Sequence, residues 1–139
     1  MSHYRITLPS SVQQSASLRS CVRAFSKMEG YSERFACHLE LTLHEAFINA
    51  VIHGNCENAA LPVSILFRSG HSSEGPFLQV EVRDSGEGFR MDEIVDPTSR
   101  ERVRALSGRG VHIIRHFAEM LHLDSGSDGS VLTLRYIPH

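Results

Sequence analysis

A carboxylate and a carboxamide, Glu45 and Asn49, stand four residues apart in a stretch whose apolar residues recur at helical spacing. On a wheel of about 100° per residue, with Glu45 at zero, Asn49 falls near ~40°, Thr42 near ~60° and His53 near ~80°. Leu41, Ile48 and Ile52 flank this strip on one side; Leu39, Leu43, Ala46 and Ala50 flank it on the other. A solvated face is wider and carries Lys or Arg, and this strip has neither. Glu45 and Asn49 are therefore expected to line a pocket, or else to form a buried hydrogen-bonding pair.

Two glycine-rich segments add a second kind of chemistry. Asp84-Ser85-Gly86-Glu87-Gly88-Phe89 follows directly on a strand pattern, and Ser107-Gly108-Arg109-Gly110 directly precedes a helix pattern. Glycines there let backbone N–H groups approach an anion, and a helix N-terminus favours negative charge. Arg109, with Arg100, Arg102 and Arg104 before it, adds cations to a segment that can close over phosphates. Taken singly, each Gly-x-Gly reads equally well as a turn. The dinucleotide fingerprint does not fit, because no helix begins at Gly88, and no Gly-Lys-Ser/Thr occurs for a Walker loop. If phosphate is bound, another architecture binds it. Metal and disulfide chemistry are poorly supplied: Cys21, Cys37 and Cys56 form no Cys-x-x-Cys pair, and His53 with Cys56 does not make a zinc site. Reduced thiols are expected, with His44 and His112 as surface or boundary residues.

These groups must be carried by elements that the periodicity outlines. Residues 3–8 alternate as a strand that Pro9 ends. Ser10 or Ser11 caps a helix bearing Val12, Leu18, Val22, Phe25 and Met28, which Gly30 closes. Ser32 and Glu33 open a longer helix running to about Gly54. A loop over 55–61 leads to a strand at 63–68, a hairpin turn at 69–76 and a returning strand at 77–83. Residues 84–110 hold few apolar anchors, and so long a stretch is functional or disordered. A helix with Val111, Ile113, Ile114, Phe117, Ala118 and Leu121 on its apolar side follows, then strands near 121–125 and 130–137 joined through Gly126 and Gly129. The order predicts an α/β (α+β) two-layer sandwich, a mostly antiparallel mixed sheet with helices packed on one face.

At 139 residues, one domain over 1–139 is expected, burying roughly 68% of its unfolded surface. Hydrophobic residues at 41% and charged ones at 22% suit a soluble globule. A net charge of -2 argues against a general polyanion binder, so no direct nucleic-acid partner is expected. The chain has no long apolar run and no signal region at its start, so a cytoplasmic protein without a membrane partner is expected.

In this order, the segments resemble the GHKL ATP-binding superfamily, whose Bergerat fold is shared by gyrase and histidine kinases. Glu45 to Asn55 is similar to its N box, Asp84-Ser85-Gly86-Glu87-Gly88-Phe89 to its Asp-x-Gly-x-Gly box, and Ser107 to Val111 to its second glycine box. Within the superfamily, Leu8-Pro9-Ser10, Val22-Arg23-Ala24-Phe25 and the segment from Gly108 to Ile114 most resemble anti-sigma-factor serine-protein kinases of the RsbW/SpoIIAB type. One departure stands near the end, where Gly129-Ser130 replaces the common Gly-Thr; serine keeps the hydroxyl that reaches adenine.

The resemblance implies a role for each matching residue. Asn49 would coordinate Mg²⁺ at the phosphates, and Glu45 would be the general base toward an attacking serine hydroxyl. Asp84 and Ser130 would contact adenine, while Gly86 and Gly88 make room for the base. Gly108, Arg109 and Gly110 would hold the phosphates beneath a mobile lid at 89–107, with Asn55 near the phosphates and His53 on the same wall. The implied protein is an ATP- and Mg²⁺-dependent serine-protein kinase that acts as an anti-sigma factor. It would bind a sigma factor in one state and phosphorylate an anti-anti-sigma (STAS-type) protein in the other; homodimers are common in the family. The competing class is a non-catalytic nucleotide-binding module that switches partners, which would not need Glu45. A histidine kinase proper needs a phosphoacceptor hairpin, for which these residues leave no room.

Overall fold

Proline, glycine and serine punctuate the N-terminal half where the pattern asks for them. β1 (Ser2–Pro9) ends at its proline, Ser11 Oγ accepts from Gln13 N at 3.3 Å, and one 3-10 turn leads into α1 (Ser15–Glu29). Gly30 takes φ +73°, a left-handed value that stops a helix without a Cβ penalty. Ser32 caps α2 (Glu33–Asn49) by accepting from Phe35 N at 3.1 Å. A π-helical turn (Ala50–Gly54) prolongs α2, and β2 (Pro62–Ser72), β3 (Gly75–Arg83), α3 (Gly108–Phe117), β4 (Met120–Gly126) and β5 (Gly129–Tyr136) follow. The computed structural model describes residues 2–85, 108–126 and 129–139.

The strands form one sheet in the order β1-β2-β3-β5-β4. All four pairings among the described residues are antiparallel, so the expected mixed character is absent from them. Register then assigns the faces. Ile65 pairs with Val82 and Val82 with Leu132; Phe67 pairs with Val80 and Val80 with Leu134. These residues are buried and meet Leu18, Val22 and Phe25 of α1 and Leu39, Leu43 and Phe47 of α2 in one core. The alternate positions, Ser64, Arg68, Arg83, Thr133 and Arg135, are half-buried or exposed on the other face. The described helices therefore cover one face, as in the predicted two-layer α+β sandwich.

The structure departs from the pattern in three places. Residues 69–76 mostly extend the hairpin rather than turn it, since Ser69 pairs with Leu78 and Ser72 with Gly75. Backbone groups make that ladder, so serine and glycine serve in it despite their turn chemistry. α3 begins at Gly108 and ends at Phe117, and Leu121 belongs to β4, paired with Leu134. On α2, Leu39, Leu43, Ala46 and Ala50 are buried as expected, but Leu41 is 41% exposed and Ile48 and Ile52 only half-buried. Ile48 and Ile52 still pack against the edge of the core, so only Leu41 leaves it.

Candidate functional site

α2 carries Glu45 and Asn49 one turn apart close to its C-terminal end. Asn49 is 4% exposed and Glu45 is half-buried. Neither side chain bonds to the other or to another described residue, so they do not form the buried pair that the wheel left open. A carboxylate and a carboxamide are thus uncommitted among the described residues. Thr42, which shares their strip, is occupied elsewhere: its buried hydroxyl lies 2.7 Å from Tyr136 Oη and donates to Leu39 O at 3.2 Å. Burial pushes the Tyr136 phenol well above its usual range, and the Thr42 bond opposes that shift.

Beyond Asn49 the helix widens by a residue. Asn55 N donates to Ala50 O at 2.8 Å, a span of five, and Glu57 N reaches Val51 O at 2.7 Å. The wide turn sets Gly54 against the end of β3. A Cβ on Gly54 would overlap the Asp84 carboxyl group and lie 2.9 Å from Asp84 Cβ. Cys56 and Glu57 then take left-handed φ values of 51° and 59°, which carry the chain away toward β2. His53 sits half-buried within the π turn.

Asp84 is 9% exposed and bridges two strands. Its N–H donates to Ser130 O at 3.0 Å, and its Oδ1 accepts from Ser130 N at 3.2 Å. Gly129, at φ +122°, closes on the same turn; a Cβ there would lie 3.0 Å from the Asp84 carbonyl carbon and 3.1 Å from Ser85 Cα. The structure therefore brings Asp84 and Ser130 together, and Gly54 joins them to the helix of Glu45 and Asn49. A cavity of about 560 Å³ opens beside the bridge on the face of the sheet opposite α2, bounded in part by Arg5, Arg83, Asp84, Ser85 and Ser130; Glu45 and Asn49 do not line it. Another of similar volume, beside Glu29, Tyr31 and Phe77, lies at the far end of β2 and β3 and holds none of the expected residues.

Gly108, Arg109 and Gly110 form the first turn of α3, which packs against α2. The amides of a first turn have no acceptor within the helix and suit an anion. Gly86, Gly88, Arg100, Arg102, Arg104 and the expected lid at 89–107 lie outside the described residues. Asn55 was expected near the phosphates. Its buried carboxamide spends its groups on protein: Nδ2 donates to Ser10 Oγ at 2.7 Å and Pro62 O at 3.1 Å, and Oδ1 accepts from Ser85 N at 2.9 Å. The bonds of Asn55 to Ser10 and Ser85 and the closeness of Gly54 to Asp84 escaped the sequence reading, because Gly-Asn after a helix also reads as an ordinary stop signal.

These residues are of the types that fit a magnesium nucleotide: a carboxylate acceptor lying against Gly54, an uncommitted carboxamide and a helix N-terminus. The histidine kinase-like ATPase domain family matches residues 8–136 of the chain. The chain belongs to this family. The ATPase domain is similar in fold to the structure of the RsbU and RsbW domains of Rv1364c from Mycobacterium tuberculosis. That likeness has a TM-score of 0.64 at 15% identity and covers 99% of this chain and 33% of that one. It is also similar to the Erythrobacter litoralis EL346 blue-light activated histidine kinase, with a TM-score of 0.51 at 21% identity over 88% of this chain and 41% of that one. The histidine kinase domain of that protein gives a TM-score of 0.50 at 18% identity, covering 92% and 60%. The chain thus spans between 33% and 60% of the length of these structures. Comparison with curated proteins finds no match. No helix among the described residues is long and apolar enough to cross a membrane.

Proposed function

We propose that this ATPase domain is an ATP- and Mg²⁺-dependent serine-protein kinase that acts as an anti-sigma regulatory factor. One observation carries the reading: Glu45 stands one turn before the buried Asn49, half-buried and without an ion-pair partner among the described residues. A nucleotide-binding module without chemistry has no use for a carboxylate beside the phosphates, where it repels them. A phosphotransferase does, as the acceptor of a hydroxyl proton.

Asp84 would hold the adenine amine, with Ser130 beside it, and the Asn49 amide oxygen would be the protein ligand of Mg²⁺. Mg²⁺, when bound, offsets phosphate charge. The first turn of α3, with Gly108, Arg109 and Gly110, would receive the phosphates, and Gly86 and Gly88 would leave room for the base. Glu45 takes the proton of a serine hydroxyl on the acceptor protein as that oxygen bonds to the γ-phosphorus. The bond from that phosphorus to the bridging oxygen breaks, and ADP leaves with the electron pair. The acceptor would be an anti-anti-sigma protein of STAS type and the sequestered partner a sigma factor, in the cytoplasm. The ground for this choice over a histidine acceptor is the TM-score of 0.64 to the structure of the RsbU and RsbW domains of Rv1364c, against 0.51 and 0.50 for the histidine kinase structures.

The test is phosphate transfer from labelled ATP to a serine of a purified STAS-type protein, with and without Mg²⁺. Transfer that needs Mg²⁺ and disappears in Glu45→Ala supports the kinase. Tight Mg²⁺-dependent ATP binding without transfer would instead make the chain a non-catalytic partner-switching module.

A further inference from the structure

Asn55 is a polar residue with 2% exposure, placed where the π turn ends and the chain reverses. Its carboxamide can donate twice and accept at its oxygen, and the structure uses both ends. Nδ2 reaches Ser10 Oγ at 2.7 Å and Pro62 O at 3.1 Å, while Oδ1 takes the Ser85 N–H at 2.9 Å. Ser10 in turn donates to Leu61 O at 2.6 Å and is itself fully buried. One side chain therefore ties together the end of β1, the entry to β2 and the turn that follows β3. The three segments are far apart in sequence, and Asn55 is the amide that joins them.

Ser85 follows Asp84 directly, so the bond to Ser85 N fixes the peptide that sets the direction of the Asp84 carboxylate. The same carboxylate accepts from Ser130 N at 3.2 Å and lies against Gly54, in space that a Cβ there would fill. The π turn is what brings Asn55 within reach. An α-helical continuation would close one residue earlier and rotate position 55 away by about 100°. Widening a helix next to the residue that the wide turn delivers is a costly local arrangement, and π turns concentrate at functional sites.

We infer that Asn55 is a positioning residue for nucleotide binding: it anchors the Asp84-Ser85 turn to the β1 and β2 ends and so aims the Asp84 carboxylate at the base. This rests on the reading of Asp84 as the adenine acceptor. It makes no contact with the reacting atoms and belongs to the binding step. Removing it should weaken nucleotide affinity while leaving the dependence on Mg²⁺, a property of Asn49, in place.

The experiment compares the full chain with Asn55→Ala and Ser10→Ala by ATP titration calorimetry, urea melts and amide hydrogen exchange at Ser85. Asn55→Ala is expected to weaken ATP by roughly tenfold and to speed Ser85 exchange by a similar factor, in protein shown to be folded under the assay conditions. Ser10→Ala, which loosens the far end of the clamp, should shift both readouts the same way by roughly threefold. If Asn55→Ala does not fold, Ser10→Ala decides: unchanged affinity and unchanged Ser85 exchange overturn the inference. A loss of stability in either variant with ATP affinity and Ser85 exchange intact would show a merely structural amide and also overturn it. Failure of the unsubstituted chain to bind ATP would refute the nucleotide reading instead, while Ser85 exchange would still report whether the clamp holds the turn.

Discussion

Gly54→Ala tests how the site is assembled. The new methyl would sit 2.9 Å from Asp84 Cβ and overlap the carboxyl group beyond it, so Asp84 must move. Gly54 shows no left-handed φ, so the backbone accepts alanine, which gains up to about 1 kcal/mol of helix propensity. Against that stands the loss of the bond from Ser130 N to Asp84 Oδ1. A hydrogen bond to a charged group is worth about 1.5–3 kcal/mol, and repacking strain adds about 1–3 kcal/mol. The net is a loss of about 2–5 kcal/mol. For a chain of this length that lowers Tm by roughly 6–20 °C, at about 3–4 °C per kcal/mol. The assay is a double-mutant cycle read by urea unfolding, with Gly54→Ala made both in the native background and beside Asp84→Ala. Only the Asp84 Cβ then remains to collide, so Gly54→Ala should cost at least ~1 kcal/mol less in that background. Equal costs in the two backgrounds would refute the claim that Gly54 exists to accommodate the Asp84 carboxylate.

Gly129→Ala should be more damaging than Gly75→Ala. Both glycines have positive φ, but a Cβ on Gly75 meets nothing within 4 Å whereas one on Gly129 strikes the Asp84-Ser85 backbone; unfolding melts should separate them by about 2 kcal/mol. Asn49→Ala should abolish Mg²⁺-dependent ATP binding in calorimetry, whereas Glu45→Ala should bind Mg·ATP and lose transfer by at least about a hundredfold. Normal transfer by both variants would show that the wrong helix face has been assigned. The buried Tyr136 phenol is raised above its unfolded value near 10, so it adds stability that is fully present below pH 10 and is lost as pH rises toward the folded value. Tyr136→Phe should therefore spare the protein about 1 kcal/mol of the stability that the native chain loses between pH 10 and pH 11, measured by urea melts at each pH.

How much of this was legible from the residues depends on the range over which each signal acts. The Ser32 cap, the Gly30 stop and the alternation of β3 are local, and each element they imply formed where the pattern put it. The pairing of Asp84 with Ser130 was legible only through family resemblance, since the two are 46 positions apart and no periodicity links them. Thr42 keeps its place on the polar strip, but its bond was hidden for the same reason. Its partner is Tyr136, 94 positions away, and a helix wheel cannot see a phenol arriving from the last strand. Of the apolar stripe Leu41, Ile48 and Ile52, only Leu41 misled: a wheel reports which residues share a face, not how deep each one sits.

Asn55 shows where such reasoning stops. Asparagine after glycine at the end of a helix is the ordinary composition of a turn, and as a turn residue it would face water and hold nothing. The two left-handed residues behind it, Cys56 and Glu57, and the span of five closed by its N–H turn its side chain inward instead. Neither cysteine nor glutamate is chosen for positive φ, so the chain accepts strain there that glycine would relieve. That strain has a structural return, because the reversal it makes is what lets one carboxamide meet Ser10, Pro62 and Ser85 together. A local rule is broken where a long-range network needs it broken, and the network ends on the peptide next to Asp84.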